Sequence, residues 1–224
     1  MEILNSFIRQ LGFALCHQLP ERSISFGVRS MPVCARDAGL LAAFFLVLLV
    51  LTLPGKRGAG WPRRSVLIAC GAGIGFLAFD GLSSYAGLRE TGNVIRFLSG
   101  LAGGAGLAVP LAVFFNRYVF GESHDRSLFG LRRMVAVVVV LAALCLLFLL
   151  HPAALFQPAQ ILLALSIIGT FLALNLLLLY CLREWASGPV LARLAPLPCA
   201  LALLLAAAEL AASNRLHVHF ALHL

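Results

Sequence analysis

Charge is scarce in this chain. Acidic and basic residues make up 12% of 224 residues, nine Asp and Glu against 17 Lys and Arg, while 61% are hydrophobic and mean hydropathy is +0.98. So few polar groups cannot cover a water-soluble globule, which excludes that class. The net charge of +8 falls in small clusters between long apolar runs and forms no stripe, which argues against a nucleic-acid partner. A basic start, a continuous apolar core and a small-residue cleavage site are all missing from residues 1–15, so no cleavable signal peptide is expected. The six cysteines are scattered and contain no C-x-x-C, which excludes a disulfide framework and ranks thiol redox or quinone chemistry low. Four of them, Cys70, Cys145, Cys181 and Cys199, sit inside apolar runs and read as inert packing groups.

What the chain has instead is a series of apolar runs, at 38–54, 65–86, 97–120, 133–150, 159–182 and 194–212. Each approaches the length of about 20 helical residues that a bilayer requires. The expected fold is all-α, one polytopic membrane domain over 1–224 with six spans. Leu4, Phe7, Ile8, Leu11 and Leu15 recur at helical spacing, so the amino-terminal segment reads as an interfacial helix that does not cross. Within this frame, 1–37 is an interfacial motif segment, 38–120 holds the first three spans with a second motif at 80–100, and 131–212 holds the last three. Gly71-x-x-x-Gly75 and Gly100-x-x-x-Gly104 give the second and third spans small faces for close helix contact.

Counting Lys and Arg between the spans orients the bundle. Ten lie on one side: Lys56, Arg57, Arg63, Arg64, Arg117, Arg126, Arg132, Arg133, Arg183 and Arg193. Seven lie on the other: Arg9, Arg22, Arg29, Arg36, Arg89, Arg96 and Arg215. The positive-inside rule therefore puts both termini on the extracytoplasmic side of a cell membrane. Helix rise locates the ionisable groups within that frame. Asp80 lies about 16 residues, or roughly 24 Å, beyond Arg64, and Glu209 the same distance beyond Arg193, so both reach the outer end of their spans. His151, His217, His219 and His223 fall on that face too, and only His124 falls on the other. Ionisable groups within spans cost roughly 2.5–3.5 kcal/mol on insertion scales and are functional candidates by default; interfacial snorkelling is the bland alternative.

Two stretches carry chemistry. In CHQLPERS at 16–23 and PVCARDAG at 32–39, Cys16, His17, Cys34 and Asp37 offer the thiolate, imidazole and carboxylate donors of a tetrahedral site for zinc or another divalent transition metal. Cys16 and His17 are adjacent and cannot share one helical face, so a turn is needed, and Pro20 makes one plausible nearby. A Cys16–Cys34 disulfide is the alternative that an oxidising compartment favours. In DGLSSYAGLRETGNVIRFLSG at 80–100, a helix running from Arg89 would put Arg89, Asn93 and Arg96 on one face. Two guanidiniums at a membrane boundary suit a phosphate or carboxylate, and Arg22 and Arg36 could complete such an anion site. Internal pairing of these arginines with Glu90, Asp80, Glu21 and Asp37 is compatible with that reading.

CHQLPERS, PVCARDAG and GLRETGNVIRFLSG together resemble the hallmark phrases of the integral membrane family catalogued as domain of unknown function 2085, over roughly residues 13–110. The resemblance implies a multi-span membrane protein with Cys16, His17, Cys34, Arg36, Asp80, Arg89 and Asn93 in its motifs, and it implies no activity. It also implies that the position of Asp37 can be Cys in relatives. Asp can still ligate a metal there but cannot form a disulfide, which weakens a dithiol mechanism.

The leading expectation is a metal-dependent hydrolase or transferase acting on a lipid or polyprenyl phosphate at the outer interface. Arg22, Arg89 and Arg96 would hold the head group, and Asp80 or Glu90 would serve as general base. The alternatives are a non-catalytic membrane subunit or assembly factor with a structural metal or disulfide, and a small transporter. Transport is disfavoured because the chain has no internal repeat and the inner halves of the spans hold few polar groups beyond Asn116 and Asn175.

Overall fold

The computed structural model describes residues 2–52, 58–122, 127–186 and 198–221. Among the described residues there are seven α-helices: α1 (Glu2–Phe13), α2 (Ala35–Thr52), α3 (Arg64–Tyr85), α4 (Asn93–Tyr118), α5 (Leu131–Leu150), α6 (Phe156–Ala186) and α7 (Pro198–Ala221). Six of them, α2 to α7, are long and apolar enough to cross a membrane. The expected all-α bundle is therefore the observed one, with α1 as the short amino-terminal helix. Lys56, Arg57, His124, Arg126, Arg193 and His223 lie outside the described residues, as do the side chains of His217 and His219.

Several boundaries differ from expectation. The first span starts at Ala35, so Arg36 and Asp37 belong to its first turn, and the third starts at Asn93. The last runs through 217–219 to Ala221, past the expected end at 212. Between α1 and α2 the chain also forms an antiparallel hairpin, β1 (Ser23–Phe26) and β2 (Arg29–Cys34), where no strand was expected. Ile24 and Phe26 alternate with Ser23 and Ser25, the period of a half-buried strand. Gly27 takes φ +66° at the first position of the two-residue connection, as a tight hairpin turn requires.

The centre of the bundle is the α2–α4 pair. Gly39, Gly100 and Gly104 bring the two backbones together, since a Cβ on Gly100 would overlap the Arg36 carbonyl and one on Gly104 the Leu40 carbonyl. Apolar association in lipid relies on such close packing because lipid chains are as apolar as the side chains. The other expected small face is not used this way: nothing approaches Gly71 or Gly75, and α3 presents Gly73 to Ala102 of α4 instead. The reason is helical phase, as Gly73, Leu77 and Asp80 share the stripe turned toward α4, which carries Gly71 and Gly75 round to the outside. The hairpin covers one end of the bundle, where Phe26 is buried against Phe148 and Phe156. Asn116, in the last turn of α4, donates to the Leu51 and Gly58 carbonyls and Asn175 to Glu209, so each joins neighbouring segments. Cys70, Cys145 and Cys181 are half-buried, whereas Cys199 is exposed on the outside.

Candidate functional site

The site begins where α1 ends. Beyond Phe13 the chain stays wound through Cys16, whose amide donates to the Gly12 carbonyl at 3.0 Å, and then breaks at Gln18, with φ +54°. That break is the turn the adjacent Cys16 and His17 require: Cys16 is half-buried while His17 is exposed. The Gln18 amide donates to the Arg9 carbonyl at 2.7 Å and the Pro32 carbonyl at 3.0 Å, tying the turn to β2. Gly12 permits the approach, because a Cβ there would overlap the Pro32 carbonyl. Neither Gly12 nor Gln18 stood out in the sequence, since a close backbone contact leaves no local signature.

β2 ends at Cys34 and α2 begins one residue later, which sets Asp37 one helical turn from that thiol. Cys34 Sγ donates to Asp37 Oδ2 at 3.2 Å, and one ligand atom from each of Cys16, Cys34 and Asp37 lies within 4.8 Å of the others. His17 does not belong to this group. No S–S bond joins Cys16 and Cys34. The hydrogen bond from Cys34 draws the Cys16 thiol down to about 6, and that same interaction, with burial, pushes Cys34 up. The lowered pKa of Cys16 favours its thiolate, the form in which cysteine ligates a metal.

A second cluster centres on Asp80, which is fully buried. Its Oδ2 accepts from Arg36 Nε at 2.9 Å, Arg36 Nη2 at 2.6 Å and Ser99 Oγ at 2.9 Å, and its Oδ1 from Arg89 Nη2 at 3.0 Å. Arg36 and Arg89 also lie over the rings of Tyr85 and Phe79. Arg89 is not on a helix shared with Asn93 and Arg96, because the chain turns at Gly87, φ +69°, and α4 starts only at Asn93. Arg89 folds back to Asp80 from that loop. Asn93 donates to the Glu21 and Ser23 carbonyls at 3.1 and 3.2 Å, so the two motif stretches meet as their order along the spans suggests. Arg96 is half-buried with its Nε unpaired, while Arg22 and Glu90 are exposed. Ser99 was missed in the sequence, where a lone Ser in an apolar span carries no signal.

Fold and site together define a polytopic membrane protein with a polar cluster at the face under the hairpin. Residues 16–109 match the family described as predicted membrane protein, domain of unknown function 2085. An uncharacterised protein of Methanothermobacter thermautotrophicus is 38% identical over 96 residues, covering 42% of this chain and 82% of that protein. An uncharacterised protein of Methanocaldococcus jannaschii is 31% identical over 103 residues, covering 45% of this chain and 64% of that protein. The chain belongs to this family, and the matched region spans Cys16 to Val109, from the thiol turn into α4. No solved structure matches it.

Proposed function

We propose that the face under the hairpin, on the extracytoplasmic side, holds zinc or a similar divalent transition metal on Cys16, Cys34 and Asp37 and acts on an anionic amphiphile, a lipid or polyprenyl phosphate. One observation carries the reading: three protein donors converge while His17 stands outside, which is the three-ligand pattern that leaves a coordination position open. A structural site would use four. Bound there, the metal would polarise a phosphate ester or activate water.

The chain's own residues then divide the work. Asp80 has its carboxylate filled by two guanidiniums and a hydroxyl, so it acts as the clamp that sets Arg36 and Arg89 and not as the base. Asn93 positions the 21–23 backbone. Half-buried Arg89 and Arg96, with exposed Arg22, are the groups for the anionic head, while exposed Glu90 stays the candidate base. Metal analysis of the purified protein tests the centre. Near-stoichiometric metal that is lost in Cys16→Ser and Cys34→Ser proteins supports it; less than about a tenth of an equivalent, with a mass two hydrogens short, replaces it by a disulfide. That outcome would favour the second reading, a non-catalytic subunit or assembly factor, which the proximity of the two thiols also suits.

A further inference from the structure

A cavity of about 320 Å³ opens at the same face between the hairpin, the first turn of α4 and the last turn of α5. Its walls divide by chemistry. Ile24, Val94, Phe148 and Leu149 form the apolar side, and Val94 and Leu149 are themselves substantially exposed on the bundle surface. Glu21, Ser25 and His151 supply polar groups, and no lining residue is Arg or Lys. His151 ends α5 in the left-handed region, φ +34° and ψ +52°, the conformation in which many helices terminate, which turns the chain beside the opening. Its ring rests edge-on against the buried Phe26 at 6.2 Å, which fixes the imidazole beside the opening.

The cavity is also adjacent to both halves of the proposed site. Ser23, in its wall, pairs across the hairpin with Cys34, and Asn93 and Val94 belong to the same helix start as Arg96. A phosphate inside would set its oxygens beside the Glu21 carboxylate with no lysine or arginine to offset them. Hydroxyl groups, each both donor and acceptor, match a carboxylate, an imidazole and a serine together.

We infer that this cavity binds the hydroxyl-bearing part of a lipid head group, of glycerol or sugar type, with the lipid chain leaving along Val94 and Leu149. The inference rests on the amphiphile reading of this face and names its substrate class: an anionic lipid whose head group continues past the phosphate into hydroxyls. The phosphate stays with Arg89, Arg96 and the metal centre, outside the cavity.

Intact-protein mass spectrometry of the full chain in a neutral polyoxyethylene detergent tests this, with dioleoyl phosphatidylglycerol, phosphatidic acid and phosphatidylcholine added at equal concentration. Phosphatidylglycerol is expected to be retained about fivefold over phosphatidic acid, the worth of roughly one hydrogen bond. Val94→Trp, which fills the cavity from an exposed helix position, should abolish that preference. Should that variant not fold, His151→Asn removes the imidazole while suiting the left-handed backbone, and it should reduce the preference. Equal retention of phosphatidylglycerol and phosphatidic acid by the native chain, or a preference untouched in the folded variant, overturns the inference. The metal reading fails separately: a native chain that prefers phosphatidylglycerol but carries no metal loses that reading alone, and one that carries metal without the preference loses this one alone.

Discussion

Arg36 and Asp80, 44 residues apart, meet in a two-point contact, guanidinium Nε and Nη2 both on carboxylate Oδ2 at 2.9 and 2.6 Å. The contact fastens the start of α2 to the motif end of α3, and Arg89 adds a third charge from the loop beyond. Removing one member of a buried ion network leaves the others without a partner, which costs about 3–5 kcal/mol. Asp80→Asn is therefore expected to lower the thermal midpoint of the detergent-solubilised protein sharply. Arg36→Lys keeps the charge but loses the fork, so its loss should be smaller, about 1–3 kcal/mol. Equal midpoints for Asp80→Asn and the native chain would refute the clamp.

Cys16 should react as a thiolate at mildly acidic pH. Its pKa is drawn down to about 6 by the thiol of Cys34, so alkylation should be half-maximal near pH 6 and fall off below it as the sulfur takes up its proton. Replacing Cys34 by Ala removes that hydrogen bond, and the midpoint should climb toward the ordinary cysteine value of about 8.5. Added zinc should protect the sulfur. Measuring iodoacetamide rates against pH on both proteins, with a membrane-impermeant reagent on intact cells for orientation, checks each point.

Gly12→Ala addresses how the thiols are brought together. The added methyl overlaps the Pro32 carbonyl, so α1 has to lift from β2 and carry Cys16 with it. A displacement of about an ångström between reacting groups costs orders of magnitude in rate, so copper-catalysed Cys16–Cys34 oxidation should slow by about tenfold or more. Unchanged oxidation kinetics in the variant would mean that this close approach does not set the thiol distance.

The two glycine pairs should respond oppositely to enlargement. Gly100→Ala and Gly104→Ala push a methyl into the α2 backbone and should each destabilise by about 1–3 kcal/mol. Gly71→Ala and Gly75→Ala meet no neighbour and should stay within about 0.5 kcal/mol. Thermal unfolding of the four variants in one detergent decides the matter, and a large loss at Gly71 would mean that something packs on that face.

Much of this molecule is written in its hydropathy. Six apolar runs and an amphipathic start are enough to predict the spanning helices and the interfacial one, because a bilayer rewards length and apolarity and leaves a backbone few alternatives to the helix. Grouping of the motif residues at one face was equally legible, since helix rise converts sequence distance into depth. The hairpin was less so: Ile24 and Phe26 alternate over only four residues, and the motif chemistry around them drew the reading toward a metal turn.

Partnership was decided by tertiary structure. The sequence presents Gly71-x-x-x-Gly75 and Gly100-x-x-x-Gly104 as equals, and only helix phase against α2 and α4 makes one an interface and leaves the other outward. It likewise offers Cys16 and His17 as equal ligands, until the left-handed turn at Gln18 carries Cys16 toward Cys34 and Asp37 and leaves His17 exposed. Arg89, assigned by spacing to a face shared with Asn93 and Arg96, turns back to Asp80 because α4 begins four residues later. Local pattern determines what kind of segment each stretch becomes, whereas the meeting of side chains far apart in sequence depends on how those segments rotate and pack, which no local pattern encodes.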